Sequence, residues 1–162
     1  MDSITTYPIV NKEFDNKVIT YIGYVNWGEH LIVFTNNLEV YMVPTGRERS
    51  TPVKLNYSFP PIIKRVSACD EIGEFAILSS NSILFFNAVT GEFKRKMDFP
   101  NEDLVSCRVP RGTKILLVFG PKKLFFVDLD NFQIAYTEQL DLSSKEEWQF
   151  FFTGTDKFLT FA

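Results

Sequence analysis

The chain has 162 residues, 45% of them hydrophobic, and a formal charge of −3 from 17 basic and 20 acidic side chains: enough apolar material for one core, and the wrong balance for a polycation that coats nucleic acid. No run of 18 apolar residues occurs and Met1–Lys17 has neither a basic start nor a continuous apolar segment, so neither a membrane-spanning helix nor a secretion signal is predicted. Cys69 and Cys107 are the only cysteines, too few for a disulfide-stapled secreted scaffold, which predicts reduced, buried thiols in an intracellular protein.

Aromatic residues reach 15%, with Phe alone supplying 17, and flat rings suit a pleated surface, so the composition leans towards strands. In chain order, Ser3–Val10 (SITTYPIV) reads as a short strand outside the pattern that follows. A first unit then has strands at Val18–Tyr24, after Gly28, at Leu38–Val43 and at Pro52–Phe59. A second has Ile62–Cys69, a strand after Gly73, Ile83–Ala88 and Glu92–Phe99. A third has Val105–Val109, a strand after Gly112, Leu124–Leu129 and Gln133–Leu140, and a fourth is begun by Trp148–Phe152 and Gly154.

The four glycines are 45, 39 and 42 residues apart. Between the second and third strands of each unit lie Asn36-Asn37, Asn81-Ser82 or Pro121-Lys122-Lys123, residues suited to reversing the chain. In the last strand of the second unit Phe93, Arg95, Met97 and Phe99 share one parity and Lys94, Lys96 and Asp98 the other, as expected of an outer strand with one wet face. Four strands in about 40–45 residues is the period of a propeller blade. The predicted fold class is therefore all-β, a β-propeller of four-stranded antiparallel blades at roughly 17–61, 62–103 and 104–147, with an incomplete blade at 148–162. A β-sandwich or barrel would have the same strand count.

The stretches ILFFNAVTGEFKRK and LFFVDLDNFQIAYTEQL resemble the third and fourth strands of WD-type and related propeller repeats. Phe86-Asn87, Val127-Asp128 and Val43-Pro44 stand where the family has its Trp-Asp dipeptide, and Thr90-Gly91 and Thr45-Gly46 match the following turn. The opening Gly-His and a true Trp-Asp are absent. The resemblance implies that 3–10 could act as the closing strand of a ring. Three and a half units do not close one, so a C-terminal continuation or a partner chain is expected to complete it.

Catalytic chemistry has little to work with. His30, the sole histidine, sits beside a hairpin glycine, where a turn role is the ordinary reading. One histidine and two cysteines in separate units lack zinc-ligand spacing, and Cys69 and Cys107 read as small core residues at similar positions of neighbouring units. The pairs Asp70-Glu71, Glu102-Asp103 and Glu146-Glu147 read as solvated loop charge rather than as acid–base or calcium sites. No enzymatic activity, cofactor or metal is predicted. A quinoprotein-like propeller enzyme would need a central cofactor site with metal-binding acids, which these residues do not supply.

One segment implies a partner. Between Lys94 and Lys123 eight basic residues face three acidic ones, and from Leu124 onward the balance reverses. Lys94, Lys96, Lys122 and Lys123 are the candidate contacts for phosphate backbones or acidic protein surfaces, with protection of a strand edge as the structural alternative. Trp27 is a candidate interface anchor, whereas Trp148 reads as core. The expected function is a non-catalytic protein–protein interaction scaffold, a propeller subunit of a larger intracellular complex. The alternative is a subunit associated with RNA or DNA.

Overall fold

The computed structural model describes residues 14, 16–46 and 51–140, together with the backbone of 149–152 and 158–161. Twelve of the strands form three four-stranded sheets, each an antiparallel meander in chain order. The first contains β1 (Ile19–Val25), β2 (His30–Thr35), β3 (Val40–Pro44) and β4 (Val53–Lys54). β5 (Ile63–Cys69), β6 (Glu74–Ser79), β7 (Ser82–Asn87) and β8 (Phe93–Asp98) make the second. β9 (Ser106–Arg108), β10 (Ile115–Phe119), β11 (Lys123–Asp128) and β12 (Gln133–Gln139) make the third, and β13 (Gln149–Phe152) pairs with β14 (Phe158–Phe161). The chain is all-β, and no described helix is long and apolar enough to cross a membrane.

Alternation of side chains gives each of the three four-stranded sheets two apolar faces, and these sheets stack in series. Towards the second sheet the first presents Ile32, Phe34, Val40 and Met42, which meet Phe75, Ile77, Leu84 and Phe86. On its other face the second presents Ala76, Leu78, Ile83 and Phe85, which meet Leu116, Val118, Phe125 and Val127 of the third. The same four positions recur on the remaining faces: Leu31, Val33, Tyr41 and Val43 cluster with Phe14, and Leu117, Phe119, Leu124 and Phe126 with Leu140. Each sheet thus has an upstream and a downstream face of fixed register. Each fully buried Phe, Ile or Leu contributes about 1.5–3 kcal/mol by leaving water.

The closest backbone approach between sheets is between their first strands, β1 beside β5 and β5 beside β9. At that approach a Cβ on Gly23 would lie 3.4 Å from Val66 Cβ, a van der Waals contact across the seam, and 3.1 Å from the Tyr21 ring of its own strand. The Tyr21 hydroxyl donates to the Val66 carbonyl at 3.4 Å, and Arg65 Nη1 donates to Ser106 Oγ at 2.6 Å. The hairpin glycines do what their spacing implies, since Gly28, Gly73 and Gly112 all have left-handed φ, at 84°, 68° and 75°.

Several details depart from the sequence reading. β4 is two residues long rather than the expected Pro52–Phe59, because Tyr57 and Phe59 leave the sheet to pack on its neighbour, Tyr57 stacking on Phe93 at 4.6 Å. Leu38, expected in a strand, takes φ 60° in the turn. A register slip leaves Lys94 unpaired between Phe93 and Arg95, so Phe93 joins the core towards the first sheet while Arg95 lies opposite Phe85 on the other face; the shared parity expected for them does not hold. β12 is exposed at all seven residues, with no dry face. Cys69 and Cys107 are not at equivalent positions: Cys69 pairs with Glu74 and Cys107 with Val118, so they sit on neighbouring sheets within one shared core cluster. The expected strand 3–10, Trp148 and Gly154 lie outside the described residues.

Candidate interaction surface

The β1–β2 hairpin holds the first predicted residue. Asn26, Trp27 and Gly28 take left-handed φ in succession, 52°, 56° and 84°, which a bulky side chain adopts only when its surroundings dictate it. The result is an indole 63% exposed at the hairpin tip. Around it, Asn26 Nδ2 and His30 Nδ1 lie 3.1 Å apart, and Thr45 Oγ1 donates to the Gly28 carbonyl at 2.7 Å. His30 therefore serves the turn.

Lys94 and Lys96 project from β8 of the second sheet, while Lys122 lies in the β10–β11 turn and Lys123 opens β11 of the third. Much of this charge is already engaged. Lys96 pairs with Asp98 at 3.3 Å, Lys123 with Glu102 at 3.6 Å and Lys114 with Asp130 at 3.4 Å. Arg95 pairs with Glu74 and lies over the Phe132 ring, tying the second sheet to the third. Lys94, Arg111 and Lys122 have no acidic partner among the described residues. The predicted acidic pairs divide between roles: Glu102 and Asp103 hold Lys123 and Lys64, and Asp70 Oδ1 is buried with no hydrogen-bond partner among the described residues.

A second charged cluster was missed by sequence reasoning because its members are far apart in the chain. Lys17 Nζ donates to Tyr41 Oη at 2.5 Å and to Glu39 at 3.0 Å, Tyr41 donates to the same carboxylate, and Lys54 approaches it at 3.5 Å. The Tyr41 hydrogen bond, then that from Lys17, lowers the Glu39 carboxyl to about 2. Tyr41 itself is buried beneath Phe14, with ring centroids 5.1 Å apart, so the cluster is a clasp for β3 rather than an open site.

Burial pushes the Cys107 thiol up to about 12 and the Cys69 thiol well above its ordinary range, which removes the thiolate that nucleophilic or redox chemistry needs. Among the described residues no group of three His, Cys, Asp or Glu side chains is placed to hold a metal ion. The arrangement offers exposed aromatic, aliphatic and unpaired cationic side chains around a dry core. In comparisons with known proteins, no family model matches the chain and no curated protein matches it in sequence.

Proposed function

We propose that the chain is a non-catalytic interaction module, built from consecutive blades of a WD-like β-propeller and acting as a subunit of a larger intracellular complex. One observation carries this reading: the same four positions line the upstream face of every sheet, and another four every downstream face, so the three sheets are copies of one unit stacked by one rule. The convergence of β1, β5 and β9 adds to it, because sheets arranged about an axis approach at their first strands and splay at their fourth. Flat sandwich packing keeps facing sheets near 10 Å along their whole width.

Asn87 and Asp128 support the resemblance in the same way. At the end of the third strand, Asn87 Oδ1 accepts from Val89 and Thr90 N–H at 2.8 and 2.9 Å, and Asp128 Oδ1 accepts from Asp130 N–H at 2.8 Å, fixing the turn that follows. The nucleic-acid reading has less support, since only part of the Lys94–Lys123 charge is unpaired.

Two measurements test the proposal. Spin labels at Ile62 and Val105, each immediately before a first strand, should lie closer together than labels at the fourth-strand positions Lys94 and Thr137; equal separations would favour a sandwich. Affinity purification of the tagged chain should recover a protein partner near stoichiometric amounts, reduced at least tenfold by Trp27→Ala. Recovery of the bait alone under mild lysis would count against a scaffold.

A further inference from the structure

The three four-stranded sheets end on outer strands that differ in one respect. Among the described residues β4, β8 and β12 each have a hydrogen-bonded neighbour on one side only, and such an edge invites a further strand unless something blunts it. β4 is two residues long and includes Lys54, and β8 carries Lys94, Arg95 and Lys96 in succession. β12 has neither device: Gln133–Gln139 is seven residues long, exposed throughout, and holds no lysine, arginine or proline. Its two large apolar side chains, Ile134 and Tyr136, are 45% and 57% exposed.

The register shows which backbone groups of β12 face outward. Leu140 N–H donates to the Lys122 carbonyl at 2.7 Å, continuing the register that pairs Lys123 with Gln139 and Phe126 with Tyr136. Hydrogen-bonded and non-hydrogen-bonded pairs alternate along an antiparallel ladder. Glu138 and Tyr136 therefore turn their N–H and C=O groups to β11, while Thr137 and Gln139 turn theirs away from the sheet. The side chains of Tyr136 and Glu138 share one face, where the Tyr136 hydroxyl donates to Glu138 Oε2 at 2.6 Å and the ring lies 5.6 Å from that of Phe126. No cation pairs with Glu138 among the described residues. The charge around it in the sequence has the same sign, since from Leu124 to Ala162 seven acidic residues stand against Lys145 and Lys157.

We propose that β12 is a docking edge for an extended basic segment of another protein, which adds to the third sheet as a fifth strand. A Lys or Arg of that segment lies beside Glu138, and an apolar residue two positions away lies beside Tyr136. Backbone pairing at Thr137 and Gln139 supplies the affinity, and the two side-chain positions supply the selection. Charge argues for this occupant, because β12 of a second copy would bring Glu138 another carboxylate and no cation. The inference rests on the scaffold reading and names the form its partner takes, on a different sheet from Trp27.

The purified chain is used to probe an immobilised set of peptides of about nine residues, with Thr at every second position and the intervening positions varied. Bound peptides should carry Lys or Arg two positions from Val, Ile, Phe or Tyr. Methylating one of the two alternating sets of backbone nitrogens should weaken the best peptide at least tenfold in fluorescence anisotropy, and methylating the other set should not. Thr137→Pro removes an outward N–H where an edge strand admits proline, and should weaken binding at least tenfold with circular dichroism unchanged. Glu138→Lys, at an exposed position, should shift selection to peptides with Asp or Glu in place of the cation. No selection by the wild type, or selection indifferent to backbone methylation and to Glu138→Lys, overturns the proposal. So does light scattering that shows the chain associating with itself through this edge, with loss of association in Glu138→Lys. A partner lost in Trp27→Ala while no peptide is selected would leave the scaffold reading standing and remove this docking edge.

Discussion

The guanidinium carbon of Arg95, on β8, lies 3.6 Å from the centroid of the Phe132 ring at the head of β12, and the same guanidinium pairs with the buried Glu74 carboxylate. One side chain therefore joins two strands of the second sheet to the third. Arg95→Leu keeps the apolar contact but strands the Glu74 charge, and should destabilise by about 2–4 kcal/mol. Phe132→Ala should cost about 1–3 kcal/mol, because the ring also packs edge-on against Phe85. In a double-mutant cycle followed by urea denaturation the two should couple by about 0.5–2 kcal/mol. Strict additivity would show that the stack contributes nothing.

Phe132 occupies the turn position that Gly91 holds in the second sheet, each N–H donating to the last residue of the preceding strand, Asp128 or Asn87. Both have left-handed φ, 55° and 75°, but a Cβ on Gly91 would come within 2.7 Å of Leu55 Cδ2. Gly91→Ala should therefore lose more stability than Gly28→Ala, whose Cβ would meet open space. The expected costs are about 2–3 kcal/mol against about 1 kcal/mol. Thermal melts should show Gly91→Ala lower by several degrees. Equal melting temperatures would mean that Leu55 yields freely.

The Glu39 clasp predicts a pH dependence. With the folded carboxyl lowered to about 2 by Tyr41 and Lys17, its contribution is present above the ordinary carboxylate value of 4.5 and lost as pH falls towards 2. The cluster is partly solvated, so the contribution stays below about 1 kcal/mol. Comparing urea midpoints of the wild type and Glu39→Gln isolates it from other carboxylates. The gap between them should be present at pH 6, narrow below the ordinary carboxylate value and close as pH reaches about 2; a gap independent of pH would assign the effect to packing.

Cys69 and Cys107 give a fourth check. Both thiols are buried in the cluster between the second and third sheets. An aromatic disulfide reagent at pH 8 should modify neither in the native chain over minutes, and both at once in 6 M guanidinium. Rapid native labelling of one would mean that the β5–β9 seam opens locally.

Much of this architecture was legible in the sequence, for identifiable reasons. Gly28, Gly73 and Gly112 mark hairpins because a left-handed turn selects glycine, and apolar runs alternating between two dry faces make the second and third strands of each sheet stand out. What escaped was set by single-residue slips. Nothing in FKRKMD reveals that Lys94 is skipped, yet that slip sends Phe93 to one core and Arg95 to the other. The partners of Arg95 and of Lys17 lie 21 and 22 residues away, beyond the reach of any local pattern. The exposure of Ile22 and Tyr24 on β1 could not be read from an apolar strand, because it depends on what lies beside the sheet.

The basic segment gives a prediction about nucleic acid that the ion pairs sharpen. Of its eight cationic residues, Arg95, Lys96, Lys114 and Lys123 already hold carboxylates and Arg108 is engaged within the fold, leaving Lys94, Arg111 and Lys122 without an acidic partner among the described residues. Each phosphate neutralised adds about −0.9 to the slope of log affinity against log salt on duplex DNA, so three free cations limit the slope to about −3. Fluorescence anisotropy with a labelled duplex at 25–200 mM salt should show weak binding with a slope no steeper than that, abolished by K94E/K122E. A steeper slope would require the paired lysines to exchange their carboxylates for phosphate, and K96E and K123E would then weaken binding as much as K94E does. Under that outcome the alternative function, an RNA- or DNA-associated subunit, would displace the protein scaffold as the better reading of this segment.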